Sequence, residues 1–260
     1  MINLTIVDGN NWFRRRAETD IMGLPVRKCF QEIQGNSEHV IVVWDGMNAN
    51  ARRRAIYPDY KVKRITPGED IFKSQDLLKR LLVLGKASQV QVDGYEGDDV
   101  VAALALYYKD KVDNIFIESN DADLGQLGFP MSRATPLPEK PEFIAIYKAI
   151  VGDASDNIPG AKGFGKGSWE KLTDAQKRML HHVVANCINE TETVIKAKVE
   201  AFFPPKALTW FVKKENRMQV LDFYRIVNFL PIPMSVIQSN TRVGLNVPGE
   251  ALQILEEYFI

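Results

Sequence analysis

Carboxylates crowd at three places in this 260-residue chain, more densely than surface charge requires, and two more stand at the ends of strand-like runs. Asp8 and Asp45 each follow an apolar, β-branched run. Glu96, Asp98 and Asp99 fall within four residues, Asp121 and Asp123 flank one alanine, and Asp153 and Asp156 precede a glycine-rich turn. A single acid in such a place is commonly a cap, because the positive end of a helix dipole favours a carboxylate. Three acids in four residues exceed what a cap needs, and their mutual repulsion calls for a cation. Nine acids with no Lys or Arg interleaved suit hard cations bound through oxygen, two or more Mg²⁺ or Mn²⁺ ions. The chain has three histidines, two of them adjacent at His181 and His182, so a histidine-rich zinc site is not expected. Ions held this way activate a water and neutralise a phosphate, which is chemistry for hydrolysing a phosphodiester.

Residues so distant in sequence need a scaffold to gather them. Alternation and β-branched runs predict strands over 2–7, 39–44, 89–93 and 115–118, with helical periodicity over 26–33, 70–84 and 98–108. Strands alternating with helices imply an α/β fold, a parallel sheet flanked by helices. Three of the strands run into acids, and open α/β sheets bind ligands outside the carboxyl ends of their strands. Asp8, Asp45 and the Asp121/Asp123 pair are therefore expected on one edge. After Gly152 the pattern turns helical, which suggests an α/β core over 1–152 and a helical region over 153–260.

The net charge is zero, but the charges are segregated. Residues 52–86 hold ten Lys/Arg against four Asp/Glu, whereas 87–160 hold thirteen acids against five bases. In the basic stretch Arg52, Arg53, Arg54, Lys61, Lys63, Arg64 and Lys73 alternate with Tyr57, Tyr60 and Phe72. Aromatics beside cations suit single-stranded nucleic acid. Phe72, Leu77, Leu78 and Leu81 read equally well as a helix face on a core. The run from Gly160 to Gly167 fails as a P-loop, because Gly167 stands where a Ser or Thr must hold Mg²⁺. It fits a helix-hairpin-helix turn through Gly163 and Gly165. Lys166 and Gly167 would follow, a helix would start near Ser168, and its amides would bind phosphate without reading bases. Lys206, Lys213, Lys214 and Arg217 are read as candidates for further contacts to duplex backbone. Trp210, Phe211, Phe223 and Tyr224 are expected in a core, and Phe259 and Ile260 in the same core or at a free end. Cys29 and Cys187 read as reduced thiols. With no signal-peptide pattern and no apolar run long enough to span a bilayer, a cytoplasmic monomer of a bacterium or phage-infected host is expected.

Five segments, in order, resemble the flap-endonuclease or 5′-nuclease superfamily. Asp8 and Asp45 match its strand-end aspartates. Tyr60-Lys61-Val62-Lys63-Arg64 is similar to its Tyr-Lys-x-x-Arg, and Glu96-Gly97-Asp98-Asp99 to its Glu-Ala-Asp-Asp. Ser119–Asp123 with Gln126-Leu127 is similar to its Ser-x-Asp-Lys-Asp…Gln-Leu, and Gly152–Gly160 to its entry into the hairpin. The resemblance implies a PIN-like nuclease core with a helical arch at about 50–88 and a helix-hairpin-helix region. One metal group would comprise Asp8, Asp45, Glu96, Asp98 and Asp99, and a second Asp121, Asp123, Asp153 and Asp156. Lys61 and Arg64 would meet the scissile phosphate. A K⁺ ion would sit in the turn at Ile158, Gly160, Gly163 and Gly165. The implied partner is DNA with a 5′ flap, overhang or gap; RNA in the 5′ strand and replication partners stay open. Gly97 stands where the family has Ala, a change expected to matter little. Ala122 replaces a Lys or Arg, and residues 125–150 are shortened and proline-rich. Two other readings remain: a catalytically silent DNA binder, and a metal-dependent ribonuclease with the same sheet.

Overall fold

The computed structural model describes residues 1–19, 25–36 and 38–257; Phe259 and Ile260 lie outside them. In chain order the elements are β1 (Asn3–Asp8), α1 (Gly9–Thr19), α2 (Pro25–Gly35), β2 (His39–Asp45), α3 (Ala51–Ile56), α4 (Glu69–Leu84), β3 (Ser88–Val92), α5 (Gly97–Tyr108) and β4 (Asn114–Glu118). There follow α6 (Ile144–Val151), α7 (Lys166–Trp169), α8 (Asp174–Asn186), α9 (Glu192–Val199), α10 (Pro205–Phe211), α11 (Lys214–Val227), α12 (Met234–Ser239), β5 (Thr241–Arg242) and α13 (Pro248–Glu257). No described helix is long and apolar enough to cross a membrane.

The chain divides into two compact units. Unit 1 comprises 1–49, 65–136 and 230–260, and holds the sheet in the order β4-β1-β2-β3-β5. The first four strands are parallel, with Ile6 opposite both Ile41 and Ile117, and they read as apolar runs because both sheet faces are covered. β5 pairs antiparallel with β3, so the sheet is mixed. Two residues of strand leave no readable alternation, and β5 went unforeseen for that reason. One core lies between the sheet and α1, α2, α4 and α13, built on Trp12, Phe13, Phe30, Leu78, Leu81 and Leu255. Each such side chain contributes about 1.5–3 kcal/mol on burial.

Unit 2, residues 50–64 and 137–229, is helical. Its core gathers Phe143, Ile146, Ile150, Trp169, Leu180, Phe211, Val220 and Phe223. Phe211 and Phe223 are thus core, as their sequence context suggested.

This division departs from the boundary expected at 152, for a packing reason. The apolar face of α6 buries Ile146, Ala149 and Ile150 in the helical core. At the far end, Ala251 and Leu255 of α13 return to the sheet core. The stretch expected as one arch is also divided: 50–64 belongs to unit 2, while α4 sits in unit 1 with Leu78 and Leu81 buried and Phe72 exposed.

Arg217, expected at a duplex surface, is 1% exposed. Its guanidinium donates to the Val212, Ile188 and Glu190 carbonyls, groups left without helical partners where elements end. Arg217→Ala is expected to lower stability by about 3 kcal/mol, since it strands buried acceptors. Arg225→Ala, exposed on the same helix, is expected to change it by less than about 0.5 kcal/mol. Urea unfolding of both variants checks this; equal midpoints would refute it.

Candidate active site

In unit 1 the strand-end acids lie on neighbouring strands, Asp8 closing β1 and Asp45 closing β2. The chain enters α1 directly from Asp8, and this requires Gly9. A Cβ there would lie 2.6 Å from the Trp44 ring and 2.7 Å from the Val43 carbonyl oxygen. That close passage delivers Asn10 and Asn11 to the two acids. Asn10 Nδ2 donates to Asp45 Oδ2 at 2.9 Å, and its Oδ1 accepts from the Asp45 amide at 3.1 Å. The Asn11 amide donates to Asp8 Oδ1 at 3.2 Å. Ser119, fully buried after β4, donates its hydroxyl to Asp8 Oδ2 at 2.8 Å and accepts from the Asp121 amide at 3.1 Å.

Asp8 is 5% exposed, and its pKa is pushed up to about 7. Burial is the main cause, and the charge of Asp45 comes next. The bonds from Ser119 and Asn11 pull the other way, and Asp121 adds to the rise. The charged groups that act most strongly on Asp8 are two carboxylates, Asp45 and Asp121. An all-oxygen donor set whose members repel one another fits a hard divalent cation.

The first turn of α5 adds acids of two kinds. Glu96 is its N-cap and is buried, and Asp98 is half-buried on the first turn. Asp99 is fully buried and spent on structure: Oδ2 accepts from the Glu96 amide at 3.3 Å, and Oδ1 from the Leu230 amide at 2.8 Å. Asp99, expected as a metal ligand, thus also has a capping and tethering role, the reach of an N3 side chain back to its cap. Gly97 donates its amide to Asp45 Oδ1 at 2.6 Å, and a Cβ would sit 3.2 Å from that oxygen. An alanine there would press on the carboxylate. Asp121 Oδ1 accepts from the Asp123 amide at 2.9 Å, holding the pair in one turn.

In unit 2 the acids have cationic partners, although no Lys or Arg is interleaved with them in sequence. Lys148 of α6 lies 2.6 Å from Asp153 Oδ2, while Ser155 donates its amide and hydroxyl to Oδ1. Burial acts to raise the Asp153 pKa, but Lys148 and Ser155 together hold it below its ordinary value. Asp156 Oδ1 faces Arg64 at 3.5 Å and Lys61 at 4.0 Å. Its pKa is raised all the same, by burial first, with Lys61 opposing. Lys61 is itself buried and takes a left-handed φ of 54°, uncommon for any residue but glycine, with its amide bonded to the Asp156 carbonyl.

The glycine turn follows α6. Ile158 is buried and bridges back to Asp153, Gly160 has φ 73° and Gly163 φ 84°. The second helix starts at Lys166, before the expected Ser168, and lasts one turn. Gly163, Gly165, Lys166 and Gly167 are exposed and Ser168 half-buried.

Of the expected nucleic-acid contacts, Arg52, Arg54, Lys63 and Lys73 are exposed, Lys73 pairing with Glu69 at 2.8 Å. Arg53 and Tyr60 are not available at the surface. Arg53 donates to the Ile226 and Asn228 carbonyls, and the Tyr60 ring is part of the helical core. Sequence reasoning gave no role to Asn10, Asn11, Ser119 or Lys148. The first three are short polar residues beside strand-end acids, a signal that was there to be used. Lys148 was not legible, since it lies five residues from Asp153 within an apolar helix.

Folding raises the Asp8 pKa from 3.8 to about 7, so the folded chain holds that proton more tightly than the unfolded chain does. The contribution is fully present below about pH 3.8 and is lost as pH rises through about 7. The metal-free protein is expected to lose thermal stability from about pH 5 to about pH 8, and Mg²⁺ to restore more of it at the higher pH. A flat profile would contradict this. Ser119→Ala, which removes the hydroxyl that orients Asp8, is expected to weaken Mn²⁺ binding by about 10-fold or more in calorimetry.

Known proteins are similar to this chain in sequence and in fold. The family model described as the 5′-3′ exonuclease, N-terminal resolvase-like domain, matches residues 3–136, more than half of the chain. The thermostable DNA polymerase I of Thermus aquaticus is 30% identical over 236 residues, covering 80% of this chain and 28% of the polymerase. The 5′-3′ exonuclease of Aquifex aeolicus is 33% identical over 143 residues, 49% of each chain. The chain thus spans less than a third of the polymerase and about half of the exonuclease. In structure, T5 5′-exonuclease with bound zinc aligns with a TM-score of 0.63 and 19% identity over 98% of both chains. The catalytic core of Rad2 in complex with DNA substrate gives 0.52 and 15%, covering 98% of this chain and 91% of that one. At such identities these two show the fold. The chain belongs to the 5′-3′ exonuclease N-terminal, resolvase-like domain family.

Proposed function

We propose that this chain is a structure-specific 5′-nuclease that hydrolyses DNA phosphodiesters near a 5′ end. The observation that carries the reading is the buried Asp8 beside Asp45, two repelling carboxylates at the carboxyl edge of a parallel sheet, oriented by Asn10, Asn11 and Ser119. Asp8, Asp45, Glu96, Asp98, Asp121 and Asp123 would hold Mg²⁺ or Mn²⁺. Such ions supply an activated water and offset charge on the phosphate.

The chain's own groups do the rest. Asn10 and Gly97 fix the Asp45 carboxylate, and Ser119 fixes Asp8. Lys61 and Arg64, now directed at Asp156, would turn to the phosphate as charge develops there. Asp156 holds these two cations in place and Lys148 holds Asp153, and the two carboxylates would bind a further ion. The exposed turn at Gly163–Gly167 would bind duplex backbone through its amides, with K⁺ at Ile158, Gly160, Gly163 and Gly165. Family membership and the T5 and Rad2 folds support this assignment.

The test is cleavage of an end-labelled 5′-flap duplex beside a 5′-overhang and a plain single strand, each with Mg²⁺, Mn²⁺ or EDTA. Cutting near the junction is expected, abolished by EDTA and reduced at least about 100-fold by Asp45→Ala. Binding of the flap with no cutting under any metal would overturn the nuclease reading in favour of a silent DNA binder.

A further inference from the structure

A groove of about 440 Å³ opens in unit 1 where α4, β3 and β5 meet. Lys79 and Arg80 of α4 and Arg242 of β5 line it, and none of the three makes an ion pair among the described residues. Elsewhere in the unit Arg15, Arg16 and Lys73 lie against glutamates. The one acid in the lining, Asp93, accepts from the Met47 amide at 2.9 Å.

The Lys79 amine is fixed in place by neutral groups. It sits 5.0 Å from the Trp44 ring centroid and 3.3 Å from Gln91 Oε1. Gln89 clamps the backbone behind it, donating to the Lys79 carbonyl at 3.0 Å and accepting from Trp44 Nε1 at 3.0 Å. Burial of the amine lowers its pKa, a cost that an anion in the groove would remove. Trp44 is buried beneath the amine and offers no face for stacking, so the groove suits a backbone rather than a base. Met47, two residues past Asp45, lines the same groove, and the Asp45 charge is felt at Lys79.

We propose that this groove is a phosphodiester subsite for a single nucleic-acid strand, holding phosphates next to the one at the Asp45 carboxylate. Its assignment to the substrate strand rests on the nuclease reading, whereas its affinity for a strand does not. In the lining itself three cations stand against one acid, an excess of positive charge for successive phosphates, although Asp76 and Asp45 also act on Lys79 from beside it; the volume suits about one nucleotide.

The test measures binding of a 15-nucleotide oligothymidylate by fluorescence anisotropy in EDTA, across a salt series. Both arginines are exposed, so Arg80→Ala with Arg242→Ala is expected to fold with an unchanged urea midpoint. Losing two single-strand phosphate contacts should lower the slope of log K against log salt by about 1.4. The control removes two exposed charges elsewhere, Lys109→Ala with Lys111→Ala, and is expected to leave the slope alone. Three outcomes would overturn the proposal: an unchanged slope in the arginine pair, an equal fall in the control, or thymidine monophosphate competing as well as the oligonucleotide. Because EDTA removes the chemistry, failure of the flap-cleavage assay would leave this result standing.

Discussion

Two carboxylates close neighbouring parallel strands, Asp8 buried and Asp45 exposed, and the buried one cannot stay charged beside the other without help; much of unit 1 answers that constraint. Asp8 is held near neutrality by its surroundings, and Asp45 contributes to that. The groups packed round them are short, neutral and directional: Asn10, Asn11, Ser119 and the Gly97 amide. They orient oxygen atoms without cancelling charge. A lysine in their place would stabilise the apo protein and defeat cation binding. The absence of Gly9's side chain is part of the same arrangement, because only then can α1 leave the strand close enough to present both asparagines.

Unit 2 solves a similar problem the opposite way. Asp153 and Asp156 are neutralised by Lys148, Lys61 and Arg64, so this group is an acid-anchored set of cations rather than a bare cage. Lys61 holds a left-handed backbone conformation to take part. Strain of this kind, of order 1 kcal/mol or more, persists where the surroundings over-determine it, commonly at functional residues. Phosphate is an oxyanion that competes for the same cations, and giving them up would leave the buried Asp156 unpaired, a cost that a further cation would offset.

Burial sorted residues that composition could not. Arg52, Arg53 and Arg54 are indistinguishable in sequence, yet the middle one is turned inward to bond the carbonyls that end α11. Arg217 does the same for three other carbonyls. A guanidinium is always charged and carries five donors, so it suits surface phosphate and buried helix ends equally well. Asp99 likewise looks like its neighbour Asp98, but its N3 position commits both oxygens to amides.

Strand and helix positions in unit 1 were legible because apolar periodicity is a local property. The strands at 39–45 and 114–118 and the helices at 69–84 and 97–108 fall within a residue or so of their expected bounds. The order of acids at strand ends was legible too, since a parallel α/β sheet places those ends on one edge. What the tertiary structure decided was everything that depends on non-local pairing. It returned α13 and the two-residue β5 to the sheet, put α6 with the helical unit, and set Lys148 against Asp153. A side chain's partner is fixed by where the backbone brings it, and residues five or a hundred apart carry no sign in sequence that they will meet.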